Sequence, residues 1–376
     1  MDWPFRFFDN REKYLLFVST CNEKQVIAER VAMDIRHLKP AQPALRVFDA
    51  GMGDATVLTR LMRHLHHRFP TVPFLIVGKE ISEEDVRIGL EKMADRLSEH
   101  PQTVLVVTNM LYTEAPWLYP RSPAMQEKLN WLEVALEGNT AAEFDEQIRE
   151  LQPLVRDWWQ VVPSRATGNP VYALPSVIVI YRKDQEWPLA SVIPRVGDQD
   201  HWYDLIIAAQ PFQGRRPAEF KVKNVLASLS RSLAPGGSMV VVQSTGKDPG
   251  MEIIRNLWPE EEPFRTPRYE LLRSLHSHLA GTNPDLRFLS YPDSRSEFRF
   301  DLQLQPSQVV SYIGTSPLMA AWNATITVAQ IDEQLLRSTM DKGQYLEVTS
   351  QVLRKYNGLW FNNESFIVSR TSAAAP

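Results

Sequence analysis

The sequence predicts an α/β fold: a mostly parallel sheet flanked by helices, with antiparallel strands near the C-terminus and a large insertion after the third strand. Three observations carry this. Short apolar runs alternate with helical periodicity between Ala44 and Thr108. The same alternation resumes between Tyr203 and Ser244. With 376 residues, 44% of them hydrophobic, the chain can bury a large core as one elaborated domain or two.

The elements follow in order. Ala44–Asp49 reads as a buried strand, Asp54–Phe69 as a helix, Pro73–Val77 as a strand, Ser82–Leu97 as a helix and Thr103–Thr108 as a third strand. After the break, Tyr203–Ala209 is a strand, Ala218–Leu233 a helix and Ser238–Ser244 a strand beyond the turn Ala234-Pro235-Gly236-Gly237. Strands joined through helices of this length lie parallel and place a ligand at their carboxyl ends. Phe298–Leu304 and Leu359–Ser369 are candidate antiparallel closing strands. The chain divides into a helical cap (1–40), a first half-core (41–112), an insertion (113–200), a second half-core (201–245) and C-terminal helices and strands (246–376). The insertion is too long for an ordinary loop. It contains helix-like stretches at Ala124–Leu136 and Ala141–Leu154 and a strand-like run at Ser176–Arg182. A lid, a substrate platform, a homodimer contact and an extra packing layer all fit it.

Composition bounds the partners. A net charge of −4 gives no general basic field for gripping nucleic acid, leaving only local patches such as Arg60, Arg63 and Arg68. No stretch approaches the roughly 18 apolar residues of a membrane span, so no membrane partner is expected. The single cysteine, Cys21, excludes an internal disulfide, and MDWPFRFFDNREK lacks the apolar core of a secretory signal; the expected compartment is the cytoplasm.

Chemistry concentrates in VFDAGMGDATVLTRLM, Val47–Met62. A dinucleotide fingerprint wants a small third residue where this chain has Thr56. Instead, Asp49 and Asp54 flank Gly51 and Gly53; they would repel a pyrophosphate and attract a ligand carrying an ammonium and a sulfonium. Glu80, just past the second strand, is either a carboxylate for ribose hydroxyls or a helix-capping acid ahead of Ser82 and Glu83–Asp85. Asn109 and Met110, after the third strand, fall where an adenine could be sandwiched. His64, His66 and His67 lack an evident third partner for a metal ion.

The ordered set DAGMGDA, VGKE, VTNM, YDLIIAAQPF and LAPGG, from about Leu45 to Ser244, resembles class I, Rossmann-like S-adenosylmethionine-dependent methyltransferases. The resemblance implies S-adenosylmethionine as cofactor. Gly51 and Gly53 would lie under its methionine part, Asp49 and Asp54 near its charge, Glu80 and Ile81 at the ribose, and Asn109 and Met110 around the adenine. No metal is expected, because the fourth and fifth strands end in Ala208-Ala209-Gln210 and Gln243-Ser244-Thr245 rather than in carboxylates. Gln210-Pro211-Phe212 is an incomplete echo of the Asn/Asp-Pro-Pro-Tyr/Phe turn of amino-methylating enzymes.

A narrower resemblance lies outside the core. GLWFNNESFIV (Gly358–Val368) is similar to the last strand of the histamine N-methyltransferase family, and Phe17 and Glu23 in FVSTCNEK are similar to its N-terminal helix. This implies that Glu23, Gln210 and Asn363 converge on the acceptor nitrogen, with Gln210 and Glu23 as the catalytic candidates; Phe212, from the incomplete turn, could stack on the substrate, and Tyr14 and Phe17 are candidate pocket walls. The expected reaction is in-line methyl transfer to a nitrogen, with oxygen second, of a small polar molecule. Two alternatives are modification of protein or RNA, and a non-catalytic cofactor-binding regulator or scaffold.

Overall fold

In the computed structural model the described residues are 11–164, 168, 170–198, 202–303, 315–340 and 343–372. Among them lie twelve strands: β1 (Leu45–Asp49), β2 (Phe74–Lys79), β3 (Thr103–Thr108), β4 (Asn130–Leu136), β5 (Val161–Pro163), β6 (Pro170–Tyr172), β7 (Ser176–Arg182), β8 (Tyr203–Ala209), β9 (Leu233–Ser244), β10 (Leu286–Leu289), β11 (Glu297–Asp301) and β12 (Trp360–Arg370). Ten form one sheet in the order β10-β12-β9-β8-β1-β2-β3-β7-β4, with β11 also on β12; β5 and β6 pair separately. β3, β2, β1, β8 and β9 run parallel. β12 is antiparallel to β9, β10 and β11. This is a Rossmann-like mixed sheet with an antiparallel C-terminal strand.

Burial explains why the central strands read as continuous apolar runs. Every residue of β2 and β3 is buried, as expected of parallel strands covered on both faces. Phe48, Leu75, Val77, Val104 and Val106 pack into one cluster, and Val47, Ile76, Leu105 and Val107 into the cluster on the other side. A third cluster joins Phe17, Cys21, Phe300 and Phe361 to the helix Thr315–Val328 and its C-terminal neighbours. No helix among the described residues is long and apolar enough to cross a membrane.

The structure corrects several expectations. Ala124–Leu136 is not a helix: one turn, Pro123–Gln126, precedes strand β4. Along β4, Trp131 and Ala135 pack on one side of the sheet and Leu132 and Val134 on the other. That period-two burial comes from parallel pairing with β7, a partner distant in sequence. Ser82–Leu97 splits at Lys92 into α4 (Glu83–Glu91) and a helix Met93–Glu99. Ala141–Leu154 splits at Leu151, ahead of Pro153. The insertion thus adds β7, antiparallel to β3, and then β4 to the sheet edge. The first closing strand is β11, and Leu304, at the end of its expected range, lies outside the described residues.

The order β8-β1-β2 places the turns after β1, β2 and β8 side by side at the carboxyl edge. The chain leaves β1 with Ala50 N–H donating to Ile207 O at 2.8 Å, and Glu80 N–H donates to Thr108 O at 2.9 Å. Ligands of open α/β sheets bind at such a switch point.

Candidate functional site

The glycine turn is closed by Glu80. Its Oε2 accepts the Gly53 N–H at 2.9 Å, and its Oε1 accepts the Ile81 and Ser82 N–H groups at 2.7 and 2.9 Å. Glu80 therefore ties the β2 exit to the β1 exit. Gly53 holds φ +50°, where a Cβ would also meet Tyr14 Oη at 3.2 Å, so glycine serves both conformation and space there. Helix α3 (Thr56–Arg68) follows.

Asp49 is 2% exposed. Its Oδ1 accepts the Gly51 N–H at 3.3 Å, while Oδ2 has no partner. Burial pushes this carboxyl up to about 7; the Gly51 bond opposes that shift and the Glu80 charge adds to it. A buried carboxylate oxygen without a donor, next to a second carboxylate, suits a cationic ligand group.

Asp54 departs from expectation. Its carboxylate takes an ion pair from Lys24 and another from Lys92 Nζ at 2.8 Å, and accepts Thr56 Oγ1–H at 2.8 Å. The lysines hold its carboxyl well below the usual range despite burial. Asp54 is neutralised at the start of α3 and presents no free charge to a ligand.

Asn109 and Met110 are both engaged by the protein itself. Asn109 Nδ2 donates to Trp158 O and Leu174 O at 3.2 and 3.0 Å, and its Oδ1 accepts Ser176 N–H at 2.9 Å. Met110 is fully buried in the core. The reason is the insertion: β7 begins at Ser176 beside the end of β3, and Asn109 clips the two together. Trp159 Nε1–H donates to Glu80 O at 2.8 Å, so the insertion walls this edge. Ile81 is partly buried against the same core.

Three distant residues meet at the end of β8. Helix α2 (Glu23–Ile35) starts where Asn22 docks on β11: Asn22 N–H donates to Asp301 O at 3.2 Å and Asn22 Oδ1 accepts Asp301 N–H at 2.7 Å. This sets Glu23 near β12. Gln210, just past β8, has φ +52°, a conformation uncommon for a side-chain-bearing residue and concentrated at functional sites. Gln210 Nε2–H donates to Ser244 Oγ at 2.8 Å and lies 3.4 Å from Asn363 Oδ1. The Glu23 carboxyl is raised by burial, against the pull of Lys24 and of the Asn363 and Gln210 side chains. Asn363 Nδ2 itself makes no hydrogen bond of regular geometry. Glu23, Gln210 and Asn363 thus converge. Gln210 Oε1 accepts no hydrogen bond among the described residues.

The aromatic residues divide. Phe17 is buried and packs edge-on to Phe300 at 6.2 Å; it is core, not a pocket wall, because α1 (Arg11–Thr20) packs on Thr315–Val328. Tyr14 stays at the site, accepting a hydrogen bond from Lys24 Nζ beside Gly53. Phe212 is nearly buried, beside Gln210. Sequence reasoning missed Lys24, Tyr112, whose Oη approaches Gly51, and Ser244. Only register, not spacing, brings Ser244 opposite Asn363.

No family model matches the sequence, and no curated protein matches it. Among solved structures, a geranyl diphosphate methyltransferase with its diphosphate and sinefungin is 13% identical, covering 92% of this chain and 78% of that chain at a TM-score of 0.36. A mycolic acid cyclopropane synthase complexed with SAH is 12% identical, covering 98% and 97% at 0.36. An rRNA methyltransferase from Streptomyces viridochromogenes is 16% identical, covering 58% and 73% at 0.26. The strand order above, not these likenesses, defines the fold.

Proposed function

We propose that this chain is an S-adenosylmethionine-dependent methyltransferase that methylates a nitrogen of a small polar acceptor. The observation that carries the reading is the meeting of Glu23, Gln210 and Asn363 at the end of β8, next to the Asp49–Gly53 turn. The unpartnered Asp49 Oδ2 fits the cofactor's ammonium. Glu80 has used three of about four acceptor positions on its carboxylate, leaving one on Oε2 for a ribose hydroxyl. When bound, S-adenosylmethionine supplies a sulfonium methyl that leaves sulfur as the acceptor's lone pair bonds to carbon.

The side chains then have two tasks. Gln210 Oε1 takes an acceptor N–H and aims the lone pair, a matter of placement. Glu23, its carboxyl raised by burial, takes the proton that the nitrogen must shed and passes it to solvent. The chain's single cysteine, which can form no internal disulfide, supports a cytoplasmic location. The test is methyl-labelled S-adenosylmethionine incubated with the protein and a fractionated cell extract, with Glu80→Ala as control. Label in the small-molecule pool, lost in the variant, is expected. Label in protein or RNA would favour a macromolecular acceptor, cofactor binding without turnover a regulator, and calorimetry without cofactor binding would overturn the reading.

A further inference from the structure

Gln210 also borders a cavity of about 10 Å³, room for roughly one water. Phe212, Lys221, Gln243, Ser244 and Thr266 line it too. Lys221, at the end of the helical turn Ala218–Lys221, is only 1% exposed. Among the described residues its Nζ makes no hydrogen bond and no ion pair; it lies 4.8 Å from the centroid of the Phe212 ring. Two acids act on it from a distance. Glu364 is already held by Arg268 and Gln243, and Glu270 is exposed. Gln243 Oε1, also buried, has no partner.

An ammonium buried without a counterion is destabilising, and a ring face offsets that only in part. Burial pushes Lys221 down to about 8, so it remains mostly charged at neutral pH. The cavity offers this cation beside the residue that aims the acceptor.

We propose that Lys221 is the acceptor's carboxylate-binding residue, so that the acceptor is an amino-acid-like molecule, its amine at Glu23 and Gln210 and its carboxylate at Lys221. This rests on the methyltransferase reading. It makes Lys221 a specificity determinant: removing one partner of a buried charge pair weakens binding by about thirtyfold or more.

The test matches the common α-amino acids with their decarboxylated amines. Each is titrated against the S-adenosylhomocysteine-loaded protein, following melting temperature and heat, and assayed for label from methyl-labelled cofactor. At least one amino acid should bind about thirtyfold tighter than its amine. That difference should vanish in Lys221→Met and return in Lys221→Arg. Lys221→Met should melt no lower than the parent, since it removes an unpaired buried charge; Lys221→Gln serves as a second variant if it does not fold. Cofactor binding with no preference for amino acids, or a preference unchanged without Lys221, overturns the inference and leaves the methyltransferase reading standing. Absence of S-adenosylhomocysteine binding overturns that reading, and this inference with it.

Discussion

Ser244 and Asn363 face each other across β9 and β12, and Ser244 Oγ–H donates to Asn363 Oδ1 at 3.1 Å. Because Ser244 Oγ also accepts from Gln210, one hydroxyl orients both amides. The carbonyl end of Asn363 is engaged by the sheet, leaving its amide nitrogen for Glu23.

Glu23→Gln keeps the shape and removes the proton acceptor, so kcat should fall by about 10²–10⁴-fold with cofactor affinity retained. In the parent protein the proposed methyl transfer should speed up as pH rises through the raised Glu23 pKa, because the ionised form is the one that takes the proton. A pH–rate profile in which Glu23→Gln keeps that limb would refute the role.

Cofactor affinity should depend on Asp49. Its folded pKa is raised to about 7, so in the free protein the neutral carboxyl stabilises the fold at low pH, and that contribution is lost as pH rises through about 7. A cationic ligand favours the ionised form, so binding should strengthen as pH rises towards about 7 and level off above it. Calorimetry across this range is the measurement, with Asp49→Asn binding weakly and without the slope.

Glu364 should be structural. It accepts Arg268 N–H at 2.9 Å, Arg268 Nη1–H at 2.8 Å and Gln243 Nε2–H at 2.8 Å, all buried. Glu364→Ala removes one of the two carboxylates paired with the buried Arg268 guanidinium, leaving Asp293, and should cost about 1.5–3 kcal/mol, read by urea denaturation. A loss below about 1 kcal/mol would show that the network is not holding β12 in place.

A histidine pair should make the fold acid-sensitive. His100 is buried, stacked 3.7 Å from Phe74, with Nε2 2.9 Å from Val72 O and Nδ1 2.9 Å from His66 Nδ1. Burial and His66 push its pKa down to about 4. The unfolded chain therefore binds the extra proton first: stability is full above about 6.5 and falls as pH drops towards 4. Denaturation near pH 7 and near pH 4.5 should show this loss in the parent and a smaller one in His100→Phe.

The central sheet is encoded in local sequence pattern. Apolar runs buried on both faces are local patterns, so β1, β2, β3, β7 and β8 are legible in the sequence, whereas Glu23, Gln210 and Asn363 are singled out only by the resemblance to the histamine N-methyltransferase family. Which polar side chains remain available depends on long-range packing. Asp54 carries a charge in the sequence, but Lys24 and Lys92 neutralise it. Asn109 has a free amide in the sequence, but β7 engages it. β4 reads as a helix in the sequence because its partner lies 46 residues on, and Lys221 gives no signal because its isolation is set by what packs around it. The physical reason is common to these cases: backbone periodicity is encoded locally, whereas the pairing, burial and freedom of a polar group depend on neighbours that only the folded chain supplies.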